Sequence, residues 1–144
     1  MKRTDEPIII EQFLDTSPRK AWDALSKIEE MRQWYFGNIP SFSPEAGFET
    51  KFKIENEGRS FTHCWKVTEV IEEKLLTYSW RYEEYPGDSF VTFELTGEKS
   101  GVRLRLTLVI VEDFPSDIPE FTRESCIAGW NYFLGENLKA YLEK

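Results

Sequence analysis

The 144 residues carry 18 basic against 26 acidic side chains, a formal net charge of −8, so most of the surface repels phosphate, and neither nucleic acid nor an anionic membrane is an expected partner. Forty per cent hydrophobic and 15 % aromatic residues suffice for one sizeable core, and the absence of a repeat or low-complexity linker predicts a single domain over residues 1–144. No apolar run approaches the roughly 18 residues of a membrane-spanning helix, and the opening M-K-R-T-D-E-P lacks a signal peptide's apolar core, which predicts a cytoplasmic protein.

Ile8 to Leu14 is apolar and β-rich enough for a strand. T-S-P-R-K-A-W-D-A-L then reads as a helix start, with Ser17 as N-cap and Pro18 in the first helical position, where no intrahelical N–H bond is lost. Ala21, Trp22 and Leu25 share one face, and Ile28, Met31, Trp34 and Tyr35 continue a helical period, so two short helices with a bend near Lys27 are expected. Gly37 to Gly47 is a loop by its prolines and glycines.

Five further strands follow from alternation. Phe48, Thr50, Phe52 and Ile54 share one face of the first. After Asn56-Glu57-Gly58, the segment Arg59 to Val70 sets Phe61, His63, Trp65 and Val67 on one side. Past Glu72-Glu73-Lys74, Leu76, Tyr78, Trp80 and Tyr82 line up. After Pro86-Gly87-Asp88, Phe90 to Thr96 turns Val91, Phe93 and Leu95 inward. G-E-K-S-G predicts a hairpin loop into a last strand with Val102, Leu104, Leu106 and Leu108 on one face. Short turns between successive strands predict an antiparallel meander of about six strands with helices on one side, an α+β fold.

The chain closes on its longest helical pattern, Asp117 to Lys144. Ile127, Trp130, Leu134, Leu138 and Tyr141 form a stripe that Phe133 and Leu142 widen. Asp117 suits an N-cap, Glu120 the return bond of a capping box and Pro119 the first turn. About 26 helical residues would span roughly 39 Å, enough to cross a sheet. Gly129 and Gly135 lie inside this helix, each costing about 1 kcal/mol relative to alanine. They either admit a close neighbour or leave room for a ligand.

Chemistry-bearing residues are few. Cys64, Cys126 and His63 are the whole soft-ligand inventory, without paired spacing, so no metal or other cofactor is expected, and the thiols read as small buried hydrophobes. No nucleophile elbow, phosphate-cradling loop or Ser-His-Asp arrangement is recognisable, and no catalytic residue is assigned. His63 is the one imidazole, with Tyr78 or Glu69 as conceivable helpers. Glu29-Glu30, Glu72-Glu73 and Glu83-Glu84 read as solvated surface.

The order strand, two short helices, antiparallel strands and long terminal helix resembles the START-like (Bet v 1-like), helix-grip superfamily. P-R-K-A-W-D-A-L, the following R-Q-W-Y-F-G, V-T-E-V-I-E-E-K-L-L-T-Y-S-W and G-W-N-Y-F-L-G-E-N-L are similar to the branch related to the C-terminal domain of the activator of Hsp90 ATPase. Two departures from that pattern stand out: Ala46-Gly47 replaces a Gly-Gly pair, and Trp65 occupies a position that is often glycine, where it should shrink an internal space.

The resemblance implies a curved sheet wrapped around the terminal helix, with a cavity between them that in relatives receives lipids, polyketides or other largely apolar molecules. The expectation is therefore a non-catalytic carrier or sensor of an apolar or aromatic small molecule. Its candidate contacts are Trp34, Phe36, Phe52, His63, Trp65, Tyr78, Trp80, Phe93, Leu106, Ile127, Trp130 and Phe133. The alternatives are a protein-interaction role, such as regulation of a chaperone ATPase in a stress response by a monomer or homodimer, and a cyclase or hydrolase using the same cavity.

Overall fold

Six antiparallel strands form one sheet: β1 (Ile8–Leu14), β2 (Glu49–Asn56), β3 (Arg59–Ile71), β4 (Leu75–Tyr82), β5 (Asp88–Glu98) and β6 (Gly101–Glu112). The coordinates are a computed structural model that describes residues 1–143. Their spatial order is β1-β6-β5-β4-β3-β2, so the meander runs from β2 to β6 and then closes against the first strand. Ile8 pairs with Leu108 and Leu14 with Val102. The two edge strands are consecutive in sequence, and the connection between them carries α1 (Pro18–Ser26) and α2 (Ile28–Trp34) from one side of the sheet to the other.

The local reasons match the sequence patterns. Ser17 caps α1 through its side chain, which accepts from the Lys20 N–H, and Pro18 takes the first turn. Lys27, with extended backbone, separates α1 from α2. Along β6, Val102, Leu104, Leu106 and Leu108 are buried, and with Val91, Phe93, Leu95, Tyr78, Trp80, His63, Trp65 and Phe52 they make the concave face. A register shift between Val67 and Glu69 interrupts the β3–β4 pairing, the kind of bulge that bends a strand and increases its twist.

The terminal helix departs from expectation at its start and in its middle. Asp117 does not cap it. Pro119–Phe121 form a single 3-10 turn, Thr122 breaks that turn with extended backbone, and the helix proper begins at Arg123 with the Thr122 side chain accepting from the Ser125 N–H. Glu120 is not available for a capping box, because the Arg59 guanidinium grips its carboxylate through two 2.9 Å hydrogen bonds and Asn56 adds a third at 2.7 Å. The helix then runs as α3 (Arg123–Trp130), a π-helical stretch (Asn131–Leu138) and α4 (Lys139–Glu143). Lys144, the predicted last residue, lies outside the described residues.

Trp130, Leu134 and Leu138 face the sheet and are buried, with Phe133, Tyr141 and Leu142 half-buried beside them. This is the curved sheet gripping a helix that the resemblance implied. Among the described residues, no helix is long and apolar enough to cross a membrane.

Candidate functional site

Between the terminal helix and the β3–β4 end of the sheet lies a cleft of about 180 Å³, lined by Phe36, His63, Trp80, Tyr82, Cys126, Gly129, Trp130 and Phe133. Each wall has a local cause. Strand alternation turns His63 inward on β3 and Trp80 and Tyr82 inward on β4. Cys126 and Trp130, four apart on α3, share a helix face, and Phe133 follows one turn later. Phe36 arrives from the segment after α2. A separate void of about 60 Å³ shares Trp80, Tyr82, Cys126 and Trp130 with it and is otherwise bounded by Met1, Ser89, Val91, Leu108, Phe114, Glu120 and Phe121.

The two helix glycines serve different ends. A Cβ on Gly135 would meet the Gln12 side chain of β1 at 3.4 Å, so this glycine permits close packing. A Cβ on Gly129 would meet nothing within 4 Å. Its missing side chain is part of the cleft.

The polar groups facing this space are few and well defined. His63 is 5 % exposed, and its Nδ1 lies 3.0 Å from the Phe61 carbonyl oxygen. A carbonyl only accepts, so Nδ1 carries the proton, and the neutral ring keeps a bare acceptor at Nε2. Burial lowers the imidazole pKa to about 4, although the Phe61 bond and the Glu84 carboxylate pull the other way. The ring stacks on Phe52 and meets Phe36, Trp80 and Tyr82 at centroid distances of 5.1, 5.3 and 4.8 Å. The Trp80 indole N–H donates to the Tyr82 hydroxyl at 2.8 Å. Cys126 adds a thiol that burial pushes up to about 11, against the opposing pull of Trp130.

Of the twelve residues singled out in the sequence, the cleft brings together Phe36, His63, Trp80, Trp130 and Phe133. Phe52 stacks behind His63. Trp65 is 2 % exposed and sits among Tyr35, Phe52, Tyr78 and Trp80, filling the interior beside the cleft. Tyr78 is buried with its hydroxyl 2.8 Å from that of Tyr35. Phe93 packs between Tyr78 and Trp130, and Leu106 is fully buried under the helix. Trp34 is turned away, its indole donating to the Ala24 carbonyl. Ile127 is half-buried against the core.

Tyr82 and Cys126 join the walls without having been singled out. Tyr82 was legible as the last inward position of its strand, and Cys126 as the residue one turn before Trp130. Among the described residues, no group of three or more His, Cys, Asp or Glu side chains is arranged to hold a metal ion. A larger concavity of about 840 Å³ lies at the β2 side over Lys51, Cys64, Lys66, Ser79, Arg81 and Phe90. It lies mostly over the outer face of the sheet, and its lining includes Thr50 and Trp65, whose Oγ1 and Nε1 atoms are buried without a hydrogen-bond partner among the described residues.

Comparison with known proteins agrees with this architecture. The family model described as Activator of Hsp90 ATPase homolog 1-like protein matches residues 15–143. The crystal structure of protein CV1439 from Chromobacterium violaceum superposes with a TM-score of 0.80 at 20 % identity, over 96 % of this chain and 97 % of that one. Protein MLL2253 from Mesorhizobium loti gives 0.73 at 25 % identity, again over 96 % and 97 %. The solution structure of the Aha1 dimer from Colwellia psychrerythraea gives 0.70 at 23 % identity over the same shares. No match was found among curated proteins.

Proposed function

The chain belongs to the activator of Hsp90 ATPase homolog 1-like family, and from that premise we propose that it carries or senses a small apolar molecule, one aromatic ring in size, held in the cleft between the terminal helix and β3–β4 without chemical change. One observation carries the reading: an aromatic-walled space of about 180 Å³ has a neutral histidine in its wall and a glycine where a helix side chain would otherwise fill it. An enclosed apolar cavity of about 150 Å³ accepts benzene, and this cleft, though open to solvent, has a comparable volume. Lipid chains and polyketides need several hundred Å³, and Trp65, Tyr35 and Phe36 occupy the interior where such ligands would lie.

Catalysis is the weaker reading of the same cleft. A general base works best with a pKa near the working pH, and His63 is held far below it.

The test is native mass spectrometry of freshly purified protein, followed by thermal-shift titration with a panel of single-ring and two-ring arenes. Stabilisation by single-ring compounds, lost when Gly129→Leu fills the cleft in a variant that still folds, is the expected result. Stabilisation that survives Gly129→Leu, or none across the panel, overturns the reading.

A protein-contact role has its own support in Ile9, Val109 and Val111, which are 57, 39 and 43 % exposed on neighbouring outward positions of β1 and β6. The family's name points to a chaperone ATPase, and the Colwellia protein is described as a dimer. Sedimentation of wild type beside Val109→Lys, with chaperone ATPase assays on both, tests it. A monomer that leaves the ATPase unchanged rules it out.

A further inference from the structure

The hydrogen-bonding character of the cleft specifies more than size. His63 spends its only N–H proton on the Phe61 carbonyl of its own strand, which leaves Nε2 a bare acceptor on a ring packed among Phe36, Phe52, Trp80 and Tyr82. Nε2 has no protein hydrogen-bond partner among the described residues and keeps some contact with solvent, although the residue as a whole is only 5 % exposed. Beside it, the Tyr82 hydroxyl accepts from the Trp80 indole at 2.8 Å, which commits a lone pair and leaves the hydroxyl's own proton free to be donated. Both groups line the cleft. The residues of the wall thus carry one free acceptor and one free donor, on rings whose centroids lie 4.8 Å apart, set in aromatic surface.

We propose that the cleft selects neutral ring hydroxyls, the phenols, over plain arenes and over aryl carboxylates, with the ligand O–H donating to His63 Nε2 and the ligand oxygen accepting from the Tyr82 O–H. This rests on the single-ring reading given above. A phenol hydroxyl is one group that both donates and accepts, so it satisfies both wall groups at once. An arene with no polar atom leaves both unsatisfied when it displaces their water, and buried polar groups left without partners are costly. A carboxylate accepts but cannot donate, so it sets lone pair against lone pair at Nε2 and must also shed its hydration in a chain whose net charge is −8.

The experiment compares three ligands of nearly the same shape, p-cresol, p-xylene and p-toluate, titrated at pH 7 into the intact protein while the indole N–H resonances of Trp80 and Trp130 are followed by 1H–15N NMR. One charge-assisted or two neutral hydrogen bonds are worth about a tenfold change in affinity or more. The expected order is therefore p-cresol tighter than p-xylene by at least about tenfold, with p-toluate weakest. In His63→Phe, and separately in Tyr82→Phe, the ratio of p-cresol to p-xylene affinity falls toward one, each variant being read only where its spectrum stays dispersed.

Equal binding of p-cresol and p-xylene by wild type, a preference for p-toluate, or a ratio that survives both substitutions overturns the proposal while leaving the single-ring reading in place. Failure of all three ligands to bind wild type removes that reading, and the proposal with it.

Discussion

His63 ties the chemistry of the cleft to the stability of the fold. Its pKa is depressed in the native state, to about 4 from an ordinary value near 6.5, so between these values the unfolded chain binds a proton that the folded one refuses. Stability is therefore full above pH 6.5 and falls as the pH drops toward 4, by on the order of 3 kcal/mol in total. Urea midpoints measured at half-unit intervals should decline through this window in wild type and stay flatter in His63→Phe. Below about pH 4.5 the carboxylates add a separate loss, among them Glu120, whose pKa the Arg59 hydrogen bonds hold down. Gly129 offers an independent check. Because an added Cβ meets nothing, Gly129→Ala should stabilise the helix by up to about 1 kcal/mol, raising the melting temperature by roughly 3 °C. That alanine would mark the glycine as kept for space and not for backbone freedom.

At the level of elements, most of the fold was readable because burial on one face imposes a period. The 102, 104, 106, 108 alternation became β6, and Ser17-Pro18 became the start of α1. What could not be read was decided by distant partners. Glu120 has the spacing of a capping-box residue after Asp117, but Arg59, 61 positions earlier, takes its carboxylate, and the cap passes to Thr122. Thr122→Ala should accordingly cost about 1 kcal/mol and Asp117→Ala almost nothing, as urea denaturation would report. G-E-K-S-G likewise looked like a loop of five, yet β5 and β6 pair through Glu98 and Gly101 and leave only Lys99 and Ser100 to turn. Gly101 is needed for another reason: a Cβ there would lie 2.4 Å from the Leu14 carbonyl oxygen at the end of β1. Gly101→Ala should destabilise by about 2 kcal/mol through steric strain where β1 meets β6. The π-helical stretch, Asn131–Leu138, has no sequence signal either.

For the molecule as a whole, the aromatic residues divide between filling space and leaving it. Tyr35 and Phe36, the two residues after α2, fold into the interior against Trp65, Trp80, Trp130 and Phe133 and so narrow the cleft. Removing the half-buried Phe36 ring should cost about 2 kcal/mol and admit two-ring ligands, so that 2-naphthol stabilises Phe36→Ala in thermal-shift titration and leaves wild type unmoved. The closure of the sheet has a further consequence, for biosynthesis. β1 leaves the ribosome first, but its hydrogen-bonding neighbour is β6, and 88 residues separate Leu14 from Val102. At about 5–20 residues per second, that partner arrives on the order of ten seconds later. The helix that covers the aromatic face is translated later still. The nascent chain therefore presents the unpaired edge of β1 until β6 has been made, and an uncovered apolar face until the helix ending at Glu143 follows, and only then can the cleft take shape.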